Sequence, residues 1–244
     1  MEQGRKADDV AHDLMARIVA GRLPVGSVLP READLAVEYG VGRSVVREAN
    51  KLLEVHRLVR PTRKKGTVVL DPLHTVTPQV LRAMLVGEDG KVDRAMLADL
   101  LEIRALLDAD MARLAAERRT RADLTALDRL VDRIEGAEPG SSESLAAIDE
   151  FGLALAKATH NRLFEMLSHW HRQIAPDLGP ALETLRTLNA ARGGHRILLA
   201  AVRDKDSDLA HELVTAYHDW ATKQVLRAFE EERDVADPKR RKSR

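Results

Sequence analysis

The chain has 244 residues, 44% of them apolar and only 3% aromatic, a balance that favours helices over strands and suffices for one large domain or two ordinary ones. It has no cysteine, which excludes disulfide frameworks and thiolate metal sites; no apolar run reaches the ~18 residues of a membrane span, and the charged start MEQGRKADDVAHDL lacks a signal-peptide core. The net charge is zero but segregated: residues 1–70 carry +4, residues 71–236 carry −8 and residues 237–244 carry +4.

Val10, Leu14, Ile18 and Val19 line one face of a first helix predicted over Ala7 to Ala20, ended by Gly21. Pro24, Gly26 and Pro30 mark the following stretch as loop. A second helix is predicted from Glu32 to Glu38, and Gly40-Val41-Gly42 as a tight turn in which either glycine can take a positive φ. The third helix starts near Arg43 and fades around His56. Its apolar positions Val45, Val46, Ala49, Leu52 and Leu53 fall on one face, while Arg43, Arg47 and Lys51 run along another at i, i+4 and i+8. Residues 58–60 and 67–70 read as two short strands joined by a tip over Pro61 to Gly66.

Two helices joined by a short glycine turn form a helix-turn-helix, and the hairpin after it makes the winged form. Such a motif lays its second helix in the DNA major groove, N-terminal end toward the base edges. Arg43, Ser44, Arg47 and Lys51 lie on that helix, and Lys64 and Lys65 at the tip of the wing. Arginine bonds bidentately to guanine O6 and N7, and lysines on a wing meet phosphate or the minor groove. A basic head on an acidic body fits a head that meets a polyanion.

The stretch LPREADLAVEYGVGRSVVREANKLLEVHRLVRPTRKKGTVV, within residues 10 to 70, resembles the winged helix-turn-helix of the GntR family of bacterial transcription regulators. Carried over by that resemblance, Arg43 and Arg47 match the two recognition-helix arginines, Ser44 the small hydroxyl position, and Gly66 and Thr67 the wing. The chain departs from the pattern twice. Ala33 stands where the family has arginine, leaving Arg31 as the nearest cation, and Lys64 stands where it has the first wing glycine.

Residues 72–90 read as a linker with a short helix over Pro78 to Val86, after which the pattern is helical almost to the end. Helices are predicted near 93–118, 121–135, 143–159, 161–176, 180–190, 194–204 and 207–232, an all-helical bundle. The fold class is thus mainly α: a winged domain over 1–71, a linker over 72–90, a helical domain over 91–232, and a basic, disordered tail over 233–244.

The body is similar to the effector-binding and dimerisation (FCD-type) domain of the FadR branch, through residues 97–120, 151–167 and 194–220. Many members of that branch bind a divalent metal through one Asp and three His. On the resemblance those positions fall on Ile148, Gly152, His195 and Tyr217, so three of four ligands are missing and no metal or other cofactor is expected. Asp149 and His218 restore the set only if both helices shift register. His218 is one residue, or ~100°, from Tyr217 and is expected to point elsewhere. His169 and His171 lie on different sides of one helix and join no expected site.

Arg104 matches a family position that faces the effector, and His195 and Tyr217 are expected to face the same space. An arginine and a histidine at one end of an apolar cavity suit a carboxylate or another anion. The alternative is that Arg104 pairs with a carboxylate of the body and the cavity is filled. The function expected is a homodimeric, cytoplasmic transcription regulator that binds a pseudo-palindromic operator in double-stranded DNA under control of a small-molecule effector. The competing readings are an architectural DNA-binding protein without effector, and a metal-dependent enzyme. Against the enzyme, the sequence holds no nucleophile motif, no phosphate-cradling loop and no complete metal set.

Overall fold

The structure, a computed structural model, describes residues 2–75, 77–87, 90–174, 187–188 and 193–236, with side chains for those between 6 and 227. It divides into two compact units, Met1–Asp93 and Arg94–Arg244.

The first unit contains α1 (Glu2–Val19), α2 (Glu32–Glu38), α3 (Arg43–Val55), β1 (Val59–Thr62), β2 (Gly66–Val69) and α4 (Pro78–Leu85). Leu14, Leu35, Val46, Ala49, Leu53, Leu58 and Val69 form one buried cluster from α1, α2, α3 and the hairpin. Helix α1 begins five residues before the expected Ala7. The turn after α2 closes as a Schellman motif. Gly40 takes φ 62°, its N–H donates to Val37 O, and the Val41 N–H donates to Ala36 O. Of the two turn glycines only Gly40 adopts the left-handed region, while Gly42 is the extended N-cap of α3. A polar clamp joins α1 to α2. Arg17 bonds Asp13 at 2.7 Å and Glu38 at 2.6 Å, its guanidinium lies over the Tyr39 ring, and the Tyr39 hydroxyl donates to Asp13.

The hairpin is antiparallel, pairing Val59 with Val69 and Thr62 with Gly66. Pro61 therefore lies inside β1 rather than at the tip, opposite Thr67. The segment around Val28 bridges to Val68, adding a short third member on the outer side of β2. A Cβ on Gly66 would stand 2.9 Å from Val28 Cγ1, and Gly66 has φ 93°, so only glycine fits there. The short helix expected in the linker is α4. It packs on α1, with Val80 and Ala83 in the first unit's buried cluster.

The second unit contains α5 (Arg94–Arg118), α6 (Arg121–Gly136), α7 (Ser142–Ala158), α8 (Arg162–Arg172), α9 (Gly194–Asp204) and α10 (Ser207–Ala236). Helix α5 is apolar on several sides, as befits a central helix, and pairs most extensively with α10. Its Ala109, Ala112, Ala115 and Ala116 join Leu127, Phe151, Leu199 and Val214 in the core. The helix expected over 161–176 ends earlier, at Arg172. Helix α10 runs on to Ala236, past the expected 232 and into the segment expected to be disordered. The helix expected over 180–190 falls largely outside the described residues, and the tail beyond Ala236 lies outside them altogether.

Candidate nucleic-acid interface and effector cavity

Helix α3 presents two opposite faces. Val45, Val46, Ala49 and Leu53 are buried beneath it, while Arg43, Ser44, Arg47 and Lys51 are exposed on the other side. No side chain caps its N-terminus, where Arg43 and Ser44 occupy the first two positions. That leaves the first-turn N–H groups directed at whatever approaches this end. Arg47 Nε donates to Glu32 Oε2 at 2.7 Å, and Lys51 Nζ to Glu48 Oε1 at 2.9 Å. Both pairs are solvent-exposed, with 64% of the Arg47 side chain accessible. Exposed ion pairs of this kind are weak, so they orient the cations without withholding them from phosphate or base.

Arg31 is exposed at the N-cap of α2, in extended conformation. Lys64 and Lys65 are exposed at the tip of the wing, and Gly66 and Thr67 open β2. The Lys65 N–H donates to Thr62 O, closing a four-residue turn whose third residue, Lys64, has φ 66°. All nine residues expected to meet DNA thus belong to the first unit, on the N-terminal turns of α2 and α3, the outer face of α3 and the wing.

The second unit holds a cavity of about 380 Å³ lined by residues of α5, α7, α8, α9 and α10. Arg104, His195 and Tyr217, expected to share one space, all line it. Two residues that sequence reasoning set aside line it as well. His218, expected to point elsewhere, is only 6% exposed, and its Nε2–H donates to Asp108 Oδ2 at 3.0 Å. Tyr217 and His218 both reach the cavity because it is wide enough to meet two adjacent positions of α10. His171 lies on the wall of α8 and accepts from Arg104 Nη1 through Nε2.

Asp108 joins the group through the same helix as Arg104, one turn on, accepting from Arg104 Nε at 3.1 Å. The Arg104–carboxylate pair that was the alternative to an open cavity therefore exists, and the cavity is open beside it. The sequence signal available was the i, i+4 spacing of Arg104 and Asp108; nothing in the sequence pointed to His171, which is 67 residues away. Burial pushes the Asp108 carboxyl up, but the charge of Arg104 and the bond from His218 outweigh it and hold the group at about 2. Burial and the adjacent Arg104 charge hold His171 at about 3, a neutral acceptor.

The metal set of the resembling branch does not fit here. Ile148 and Gly152 carry no ligand atom, and nothing lies within 4 Å of where a Gly152 Cβ would stand. The His195 ring instead packs edge-on against Phe151, with centroids 5.0 Å apart. Among the described residues no three His, Asp, Glu or Cys side chains are gathered as a metal ordinarily requires.

The sequence matches the family model for bacterial regulatory proteins of the gntR family over residues 6–69, and the FCD domain model over residues 99–219. It is 30% identical to the HTH-type transcriptional regulator Rv0494 of Mycobacterium tuberculosis, over 90% of this chain and 94% of that one. It is 31% identical to the Uxu operon transcriptional regulator of Escherichia coli, over 86% and 82%, and 26% identical to the galactonate operon transcriptional repressor of the same organism, over 85% and 91%. The solved structure of Lar from Listeria monocytogenes, 19% identical, superposes with a TM-score of 0.58 over 91% of this chain and 96% of that one, a likeness of fold.

Proposed function

The chain belongs to the GntR family of bacterial regulatory proteins and carries the FCD domain of its FadR branch, and from that premise we propose that two copies read a pseudo-palindromic operator through α3 and the wing while an organic anion in the helical unit controls them. Regulators of this family bind DNA and respond to small molecules through the FCD domain. Among the described residues no helix is long and apolar enough to cross a membrane; it is the DNA operator that places the proposed site of action in the cytoplasm.

The observation that carries the DNA reading is the two-faced α3, whose buried face locks its exposed arginines in place. Arg43 and Arg47 read bases or set register, Ser44 meets phosphate or a base edge, and Arg31, Lys51, Lys64, Lys65, Gly66 and Thr67 follow the backbone. The open cavity bearing Arg104, His195 and Tyr217 favours an effector-controlled regulator over a purely architectural one.

Selection of bound duplexes from a random pool supplies the operator. Arg43→Ala and Arg47→Ala should then each weaken operator binding about tenfold or more, in line with ~1–3 kcal/mol per bidentate base contact, with a smaller loss on random duplex. Equal losses on both duplexes by fluorescence anisotropy would remove the base-reading role.

A further inference from the structure

Four features of the cavity concern what it accepts rather than whether it accepts anything. Its fixed cation is Arg104, held by Asp108 through Nε and by His171 through Nη1, which leaves Nη2 without a partner among the described residues. Its α9 and α10 walls bring His195 and Tyr217, polar side chains able to bond a carboxylate, into the same space. Where the resembling branch has metal ligands, this wall has the Ile148 side chain and the open space at Gly152.

The fourth feature is exposed apolar surface. Ile103, Leu107 and Leu167 line the cavity yet are 56%, 37% and 37% exposed. Helix α8, although strongly amphipathic, buries no residue. Apolar side chains left open around a concave site are covered favourably by an apolar body and poorly by a polyhydroxylated one, because hydroxyls set against these side chains lose water and gain no partner from them. The lining runs from Leu100 to Met111 along α5, roughly 16 Å at 1.5 Å per residue, a length that suits an extended chain.

We propose that the effector is an amphipathic monocarboxylate bound directly by protein, without a bridging divalent cation. Its carboxylate sits at Arg104, and its apolar body lies along Ile103, Leu107 and Leu167 and against Ile148. This rests on reading the cavity as the effector site. The names of two relatives refer to the uxu and galactonate operons. The open apolar walls of this cavity instead favour an apolar body over a sugar acid.

The test is calorimetric titration of the full chain, purified in EDTA, with octanoate, methyl octanoate and gluconate, then repeated with added Zn²⁺ or Mn²⁺. Octanoate should bind in EDTA, and the uncharged ester at least tenfold more weakly. Arg104→Gln should weaken octanoate at least tenfold while keeping the helical circular-dichroism signal and a cooperative thermal transition, which shows that the helical unit is still folded. Gly152→Leu, a change that a helix tolerates and that fills the open space, should weaken octanoate at least fivefold. Octanoate binding only with added metal overturns the direct mode. Gluconate binding that depends on Arg104, with none by octanoate, overturns the amphipathic ligand and leaves the cavity reading standing. Octanoate binding unchanged in both variants, or no binding by any of the three, overturns the cavity reading as well.

Discussion

Lys64 takes φ 66° at the third position of the wing turn, a conformation that glycine adopts freely and other L-residues adopt at a cost of about 1–2 kcal/mol. The resembling family has glycine there, so this chain accepts local strain to place a cation at the tip of its wing. Lys64→Gly should therefore raise folding stability by about 1 kcal/mol in denaturant melts while weakening DNA binding and lowering the salt slope by about one phosphate contact. A variant that gains stability with an unchanged salt slope would mean the wing tip does not touch DNA. In the helical unit, His171 is held neutral down to about 3 against an ordinary value of 6.5. The unfolded chain takes up that proton below about 6.5 and the folded one does not, so stability falls as pH drops through this range. Asp108, held at about 2 against 3.8, adds a further loss at lower pH, from about 4 downward. His171→Gln, which keeps an acceptor for Arg104 but takes no proton, should flatten the dependence of melting temperature on pH between 7 and 5. Parallel profiles for the two proteins would show that His171 is not the group responsible.

At the scale of elements, helix boundaries follow local chemistry wherever capping residues are present. Helix α6 starts after Thr120, whose hydroxyl accepts from the Asp123 N–H while the Asp123 carboxylate accepts from the Thr120 N–H, a reciprocal capping box. Asp123 also bonds His160 at 3.0 Å, so the cap ties α6 to the turn after α7. Thr120→Ala should cost about 1 kcal/mol of stability, read as a shift of the unfolding midpoint; a shift within error would mean that Asp123 and His160 hold this end by themselves. Strand boundaries were less legible. Proline has no N–H to donate, which argues for turn, yet Pro61 sits in a two-stranded ribbon where one side of β1 needs no donor. The short helix over Pro78 to Val86 is legible in the sequence, but the burial of its Val80, Ala83 and Leu85, unexpected of a linker, is not.

At the scale of the molecule, zero net charge conceals a basic N-terminal region and an acidic body, and the residues proposed for DNA all fall in the first unit, Met1–Asp93. A field of that sign attracts duplex to the winged end and repels it from the bundle, which directs encounter without adding to specificity. The sequence by itself determined the helix-turn-helix and its wing, the all-helical body and the two-faced α3. Those features rest on spacing within one helix or one turn, where 3.6-residue periodicity and glycine conformations leave few alternatives. Arg104, His195 and Tyr217 were legible by resemblance. Only the tertiary structure decided that His171 and His218 join them, that Asp108 binds both Arg104 and His218, and that Ile103, Leu107 and Leu167 remain open around the cavity. The physical reason is that a cavity wall is shared among helices distant in the chain. Which residue of each helix turns inward depends on packing angle and depth, and a residue about 100° from a lining position still reaches a space this wide.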